Sequence, residues 1–290
     1  MVATSQPSFK VTPLPLFGAE VTGLDLRDDI SPAVREEIKD GVHRYRFMLF
    51  RDQGIVSGQR HVEISQWFGE LESTFYKHPK SPHPDVFRVS NVRSEGCTGV
   101  GRTGWHIDGS FQPAPFGYSL YHMVSVPKTG DTAFAPLKDI VHSLPPEQRR
   151  RWERLSMCSD RRGKLPHPLI YSHPVTGEDT LCFHLGMTEA FIWDAGTPEE
   201  RVTNSDETQE LLAEMDAVFR RECADLIYHH KWREGDFIIA DNLALGHEAA
   251  PETQAPIEQV GLRVLHRTTV KGTQPPRKNY QIDLEGNRVV

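Results

Sequence analysis

Cysteine is scarce in this 290-residue sequence, and the few cysteines are widely separated. The chain contains no CxxC pair, and its four cysteines are Cys97, Cys158, Cys182 and Cys223. This spacing argues against a disulfide framework. The amino terminus, MVATSQPSFK, also lacks the basic and then apolar pattern of a secretory signal. We therefore predict a reduced protein with a cytoplasmic location.

Long apolar runs and an excess of basic charge are missing as well. The longest uncharged apolar stretches, such as Phe47–Phe50 and Phe237–Ala240, have the length of a strand, far below the ~20 residues of a membrane span. Lys and Arg total 33 against 40 Asp and Glu, and the net charge of −7 would repel a phosphate backbone. The basic runs at 149–151 and 161–162 are short and flanked by acidic residues. Neither a membrane nor a nucleic acid is expected as a partner.

The sequence does contain many short strand-like segments. RFMLF, YSLYHMVSV, DFIIA and GLRVLHRTTV are examples, and they occur among a few helices without a regular alternation of strand and helix. Helices are predicted from Ser31-Pro32 onward, near 57–68, and over 145–155 and 206–223. This order disfavours a doubly wound parallel sheet. It predicts a mainly β (α+β) fold, in which helices decorate a double-stranded β-helix, or jelly roll.

The domain organisation is expected to be simple, because no internal repeat or low-complexity linker divides the chain. We predict a single domain over residues 1–290. Within it we expect a mobile lid at about 155–205 and a polar carboxy-terminal tail from about 273.

Two His-x-Asp motifs are candidates for metal binding. At His106 and Asp108, in GWHIDG, residues i and i+2 of a strand point to one face and can offer an imidazole and a carboxylate to one ion. At His83 and Asp85, in SPHPD, two prolines favour a turn, and a surface loop is predicted. A third pair with this spacing, in RHVEI, lies in a helix-like stretch where positions i and i+2 diverge.

A facial metal site needs a third ligand, and His247, beyond a strand and tight turn in DFIIADNLALGH, is the best placed. The following strand alternates Arg263, Leu265, Arg267 and Thr269 onto one face. If this face points inward, the two arginines stand about 13 Å apart on one wall and need anionic partners there. If the opposite, apolar face points inward, both arginines lie in solvent, and the strand alone does not decide between these orientations.

Several segments together resemble the TauD/TfdA family of iron(II)- and 2-oxoglutarate-dependent oxygenases, from about Phe9 to Gly272. RFMLFRDQGIVSGQRHVEISQWFGELE resembles the family's early strand, turn and helix, and GWHIDGSF resembles its metal-binding segment. PKTGDTAFAPL is similar to the segment that bears the co-substrate threonine, and HPVTGEDTLCFH to the HPxTG hairpin. GDFIIADNLALGH and GLRVLHRTTVKG resemble the end of the core. EAAPETQAPIEQV departs from the pattern, because it lengthens the interval between His247 and Arg263.

The resemblance implies a metal and a co-substrate. Fe(II) would be bound by His106, Asp108 and His247, which leaves three positions of an octahedral ion for 2-oxoglutarate and dioxygen. Thr132 matches the family threonine that hydrogen-bonds 2-oxoglutarate. Arg263 matches the arginine that pairs with its distal carboxylate.

The resemblance also implies a substrate site. Arg267 matches an arginine that holds an anionic group in some members, and His184 and Tyr76 lie where members contact the substrate. The implied reaction oxidises an unactivated C–H bond by hydroxylation, desaturation or oxidative cyclisation, with release of succinate and CO2. A small anionic or zwitterionic substrate is expected, either a sulfonate or an amino-acid-derived metabolite. A non-catalytic jelly roll that binds metal or 2-oxoglutarate is the alternative, and a homo-oligomer is left open.

Overall fold

Strands outnumber helices in the computed structural model, which describes residues 9–72, 77–101, 104–161, 165–282 and 288–289. The strands are β1 (Lys10–Pro13), β2 (Ala19–Thr22), β3 (Phe47–Phe50), β4 (Phe87–Ser90), β5 (Tyr118–Ser125), β6 (Thr132–Pro136), β7 (Leu155–Ser159), β8 (Pro166–Pro168), β9 (Ile170–Ser172), β10 (Asp179–Leu181), β11 (Thr188–Trp193), β12 (Arg201–Val202), β13 (Tyr228–His230), β14 (Phe237–Asp241), β15 (Leu245–Ala249), β16 (Val264–Val270), β17 (Gln281–Ile282) and β18 (Arg288–Val289). The helices are α1 (Pro32–Tyr45), α2 (Gly58–Gln66), α3 (Leu137–Ser143), α4 (Pro146–Glu153), α5 (Ser205–Ala217) and α6 (Ile257–Val260). Short π- or 3-10-helical segments are Val218–Glu222, Ala224–Leu226 and Pro251–Gln254.

The larger sheet has the strand order β1-β2-β3-β14-β5-β16-β4 and is antiparallel except for the parallel pair β2 and β3. In its centre, Arg267 of β16 lies opposite Tyr121 of β5, and Thr269 lies opposite Ser119. Directly opposed residues share a face of a sheet. The register therefore places all four side chains on the same side of the larger sheet.

The sheet opposite it consists of β13, β6 and β15, and single bridges from His106 to His247 and to His184 continue it beyond β15. A four-stranded sheet, β12-β11-β7-β8, and the pairs β10-β9 and β17-β18 are separate from both. Phe134 of β6 packs edge-on against Tyr121 of the larger sheet, with ring centroids 6.1 Å apart. The two sheets thus face each other across a shared apolar core. The predicted double-stranded β-helix is confirmed.

Helices α1 and α2 cover the outer face of the larger sheet. Helix α1 begins as predicted, because the Ser31 hydroxyl accepts a hydrogen bond from the Val34 N–H and Pro32 is the first helical residue. Its buried residues Ile38 and Val42 pack on the sheet and form a second apolar core there. None of the described helices has the length and apolar character needed to cross a bilayer.

A third apolar core surrounds Trp152 and involves α3, α4 and α5. The described part of 155–205, in which a mobile lid is predicted, contains the strands β7 to β12, and Leu155, Met157 and Phe191 in these strands are buried in this core. The lid motion stays a prediction. Any such motion would have to involve the connections between the strands, because moving the strands themselves would expose core residues.

The carboxy-terminal tail is polar, and Tyr280 within it packs against the same core. The hydroxyl of buried Tyr280 donates a hydrogen bond to the Ile170 carbonyl at 3.0 Å. Arg288 pairs with Asp179 at 2.5 Å between Nη1 and Oδ2. The tail therefore belongs to the folded domain.

Candidate metal centre and active site

His106 and His247 are placed side by side by their own backbone. The His106 N–H donates to the His247 carbonyl at 3.2 Å, and the His247 N–H donates to the His106 carbonyl at 2.8 Å. On its other side this segment is held by the Ile107 N–H, which donates to the Phe183 carbonyl. A segment fixed on both sides presents His106 and Asp108 at a constant position relative to β15.

The three predicted ligands converge. Atoms of His106, Asp108 and His247 that could bind a metal all lie within 4.8 Å of one another, and all three residues are buried. His247 Nε2 is 3.7 Å from Asp108 Oδ2. Within the part of the chain that the structure describes, no other group of three or more His, Cys, Asp and Glu side chains is this close. Two imidazoles and one carboxylate form the ligand set of non-haem Fe(II) oxygenases, and the cluster fits that ion.

The Asp108 carboxylate is oriented from both sides. Its Oδ1 accepts a hydrogen bond from Arg267 Nη1 at 2.7 Å, and its Oδ2 accepts one from the Ser119 hydroxyl at 2.8 Å. The Asn242 side chain accepts from the Asp108 N–H and donates to its carbonyl. Burial alone would raise the pKa of Asp108, but the Arg267 cation and the hydrogen bond from Ser119 hold it well below its usual value. The carboxylate is therefore ionised, as a metal ligand must be.

Both histidines of the cluster are held neutral. Burial lowers the pKa of His106, and it lowers that of His247 to about 3, with a further contribution from the neighbouring His106 ring. The Gly104 carbonyl accepts a hydrogen bond from His106 Nδ1 at 2.8 Å. This bond places the proton on Nδ1 and leaves Nε2 free to bind a metal.

The arginine-bearing face of β16 points inward, because Arg267 reaches Asp108. The guanidinium also lies over the Phe87 ring, 5.1 Å from its centroid. Beside it is a cavity of about 200 Å³. Its lining is mostly apolar, with Phe87, Val100, Phe111, Phe116 and Met187 next to His106, Asp108, His184 and Arg267.

Arg263 is a buried cation with no ion pair among the described residues. Its side chain is almost completely enclosed, its Nε has no hydrogen-bond partner, and burial lowers its pKa to about 10. A buried guanidinium without an anion is costly. Thr132, also buried, begins β6 opposite Ala249, two residues beyond His247 in β15. A small dicarboxylate would supply the anion that Arg263 lacks, and these residues fit 2-oxoglutarate.

Besides Arg267, two residues were predicted to contact the substrate, His184 and Tyr76, and the structure describes His184. His184 stacks on His106, with ring centroids 4.5 Å apart, and lines the cavity. Its Nδ1 has no hydrogen-bond partner. Tyr76 lies outside the described residues. The substrate contact of both residues stays a prediction.

The competing His-x-Asp motif does not resemble a metal site. His83 Nδ1 lies 3.7 Å from Asp85 Oδ2, and both side chains are partly exposed in a loop, as predicted. His61 and Glu63 lie on α2, where His61 faces the larger sheet and Glu63 has its side chain partly in solvent. Only the strand-like copy therefore has converging ligands.

The residues that lengthen the interval between His247 and Arg263 are tied down at the rim of the site. They form the segment Pro251–Gln254 and helix α6. The Asn91 side chain donates to the Gly261 carbonyl at 2.9 Å and accepts from the Arg263 N–H at 2.9 Å. Gln254 Oε1 accepts from the N–H of Gly99, a cavity-lining residue. The segment that lengthens this interval thus borders both the cavity and the backbone of Arg263.

Sequence reasoning missed four residues that support the site, Asn91, Ser119, Trp232 and Asn242. Ser119 lies at the start of β5, 11 residues after Asp108, and no local motif indicates that its hydroxyl reaches the carboxylate. The DN pair before His247 was a usable signal, because the Asp241 carboxylate accepts from the N–H groups of the turn and Asn242 holds Asp108.

A double-stranded β-helix with a buried His-x-Asp…His cluster defines a metal-dependent oxygenase fold and site. The family model "Taurine catabolism dioxygenase TauD, TfdA family" matches residues 10–269, and the chain belongs to this family. It is an Fe(II)- and 2-oxoglutarate-dependent dioxygenase, and the expectations of this enzyme class and of both cofactors are confirmed.

Two relatives and one solved structure illustrate the similarity. The chain is 25% identical over 267 residues to the alpha-ketoglutarate-dependent 2,4-dichlorophenoxyacetate dioxygenase of Burkholderia sp. (strain RASC), covering 80% of this chain and 86% of that protein. It is 26% identical to the (S)-phenoxypropionate/alpha-ketoglutarate-dioxygenase of Sphingobium herbicidovorans, covering 84% and 90%. The crystal structure of a taurine dioxygenase from Burkholderia xenovorans superposes with a TM-score of 0.73 at 26% identity, covering 97% and 94%. Alpha-ketoglutarate is 2-oxoglutarate under another name.

Proposed function

We propose that His106, Asp108 and His247 bind the Fe(II) of this dioxygenase. The observation that carries the proposal is the convergence of their ligand atoms within 4.8 Å at the end of a cavity that also holds Arg267. Bound there, the metal supplies the activation of dioxygen. The protein supplies a fixed ligand geometry, two neutral imidazoles and an apolar surrounding that limits the access of water.

Arg263 and Thr132 are proposed to bind 2-oxoglutarate. Arg263 is a buried cation in need of a carboxylate, and Thr132 lies on the strand next to the one that carries His247. A carboxylate at Arg263 would remove the energetic cost of the unpaired charge, which makes the site selective for a dianionic 2-oxo acid.

The substrate is proposed to be a small anion with an apolar body. Arg267 offers the cation, because its hydrogen bond to Asp108 uses one of the five N–H donors of the guanidinium, which lies over Phe87 beside the metal ligands. Among the described residues that line the cavity, Asp108 is the only carboxylate, and it is already paired with Arg267. A substrate ammonium group would therefore find no free countercharge here, and this favours an anion over a zwitterion.

The relatives support this class of substrate. The two relatives described above carry the names of carboxylates with an aromatic body. We propose that Arg267 holds the carboxylate or sulfonate, and that His184 and Tyr76 contact the remainder of the molecule. An amino-acid-derived metabolite with a blocked or absent amine fits the same site. The outcome at carbon is proposed to be hydroxylation, desaturation or oxidative cyclisation.

The experiment is a succinate assay with Fe(II), ascorbate and 2-oxoglutarate. The panel would contain aryloxyacetates, arylsulfonates, N-acylated amino acids and taurine. We expect substrate-dependent succinate with at least one apolar anion, and loss of at least 100-fold in His106→Ala. His83→Ala, in the other His-x-Asp motif, is the matched control and should retain full activity. Unchanged succinate formation in His106→Ala would refute the assignment of the metal site.

A further inference from the structure

Trp232 makes a specific contact with the proposed co-substrate site. Its indole Nε1–H donates a hydrogen bond to Thr132 Oγ1 at 2.9 Å. An indole N–H can only donate, so in this bond the threonine oxygen is the acceptor. The proton of the threonine hydroxyl must then point in another direction, and no acceptor for it is found among the described residues.

The free direction of this hydroxyl lies in the interior. Thr132 and Phe134 alternate onto the same face of β6, and Phe134 packs against Tyr121 of the opposite sheet. On the opposite sheet, Leu265 of β16 shares one apolar cluster with Phe134 and Trp232, and the buried Arg263 lies just before β16 begins. The hydroxyl donor therefore faces the space between the sheets, and the buried cation belongs to the opposite sheet's side of that space.

We propose that Trp232 is a positioning residue for 2-oxoglutarate. By donating to Thr132 Oγ1 it fixes the rotamer and the donor role of the hydroxyl, which then offers its proton to the distal carboxylate held by Arg263. This inference rests on the proposed function, because it assumes that Thr132 and Arg263 bind 2-oxoglutarate. It adds a residue outside the metal and anion contacts, acting only through Thr132.

Trp232 is itself held in place from behind. Its ring packs edge-on against His230, with centroids 4.4 Å apart. His230 Nε2 is 3.1 Å from Asp236 Oδ2, and Arg51 Nη1 lies 2.6 Å from the same oxygen. The other side of Trp232 lines an open groove with Lys128 and neighbouring residues. The indole thus also forms a wall between solvent and Thr132, and this keeps the hydrogen bond to the co-substrate dry.

The test compares Trp232→Phe with the wild-type protein, both loaded with Mn(II), by anaerobic calorimetry. The phenylalanine ring retains most of the packing and removes the N–H. We expect the dissociation constant of 2-oxoglutarate to rise about threefold to tenfold, the range for one neutral hydrogen bond. The affinity for 2-oxopentanoate, which lacks the distal carboxylate, should change less than twofold. A merely structural defect would weaken both ligands equally.

Two further variants make the outcome decisive. Thr132→Val should weaken 2-oxoglutarate binding at least as much. Adding Trp232→Phe to Thr132→Val should not weaken binding further, because both changes remove the same hydrogen bond from the Thr132 hydroxyl to the co-substrate. Trp152→Phe is the matched control, since this buried indole donates to Glu214 instead and should leave both affinities unchanged.

The possible failures are distinguishable. If 2-oxoglutarate does not bind to the wild-type protein, the proposed function is wrong. If it binds, and Trp232→Phe matches the wild-type affinity or adds its full effect to that of Thr132→Val, the positioning role is refuted. A thermal unfolding scan of each variant checks that the fold is retained.

Discussion

Asp108 belongs to the proposed metal site and also contacts Arg267, the residue proposed to hold the substrate anion. Each of its oxygens accepts one hydrogen bond, from Arg267 on Oδ1 and from Ser119 on Oδ2. A carboxylate oxygen has two lone-pair directions, so it can accept a hydrogen bond and bind a metal at the same time. Outer partners of this kind fix the orientation of a ligand and so contribute to metal affinity.

Ser119→Ala should therefore weaken metal binding without disturbing the fold. The change removes one of the two hydrogen bonds that orient the carboxylate, and we expect the Mn(II) dissociation constant to rise about tenfold or more. Anaerobic titration with Mn(II) measures it. Ser125→Ala on the same strand is the control, because the Ser125 hydroxyl donates to the Leu262 carbonyl. Equal affinities in the two variants would exclude an orienting role for Ser119.

At the scale of elements, strand alternation shows which side chains share a face but not which face is inward. The sequence therefore predicted that Arg263 and Arg267 share one face of the strand, and it could not decide whether that face points to the interior or to solvent. The position of β16 between β5 and β4, with Arg267 opposite Tyr121, decides it. Such register depends on residues more than a hundred positions apart. Local motifs such as His106-x-Asp108 need no such partner, and they were identified from the sequence.

The contact of helix α2 with the larger sheet contains an unusual set of buried histidines. The His61 ring lies 6.4 Å from His122 and 4.8 Å from Phe237, and neither of its nitrogens has a hydrogen-bond partner. His266, whose Nε2 bonds to Arg88, is 6.3 Å from His122. Burial lowers the pKa of all three histidines, to about 3 for His266. The contact is thus built from neutral imidazoles.

The packing of helix α2 on the larger sheet should become less stable in acid. A histidine whose folded-state pKa lies below its unfolded value of ~6.5 binds fewer protons when folded, so stability is retained above that value and lost as the pH falls through it. Between pH 7.5 and 5, His61 should contribute a loss of about 2 kcal/mol. His61→Leu should reduce the loss by this amount, whereas His83→Leu in the exposed loop should not. Urea unfolding at both pH values measures the difference, and parallel losses in all three proteins would contradict the assignment.

At the scale of the whole molecule, the net charge of the protein is negative, whereas the side chains proposed to bind ligands carry positive charge. The chain carries a net charge of −7, yet its interior encloses Arg263 without an ion pair among the described residues and Arg267 beside the cavity. The stability of the ligand-free protein is thereby reduced, because an unpaired buried charge is costly, and the bound anion restores it. A negative total charge is thus compatible with a small anionic ligand, because the cations lie inside the protein.

Arg263→Met should raise the unfolding free energy of the ligand-free protein, whereas most substitutions of buried residues lower it. The flexible thioether retains most of the side-chain volume and removes the unpaired charge, so the ligand-free protein should gain about 1–3 kcal/mol in unfolding free energy. In the wild-type protein with Mn(II), 2-oxoglutarate at 100 times its dissociation constant should add about 2.7 kcal/mol. In Arg263→Met this increment should vanish, while that of Mn(II) alone remains. Arg288→Met, which removes a partner of Asp179, should instead lose stability. An arginine that stabilises the fold through an ion pair would behave like Arg288. A loss of stability in ligand-free Arg263→Met would therefore mean that Arg263 already has an anionic partner within the protein, and it would contradict the proposal that Arg263 binds the dicarboxylate.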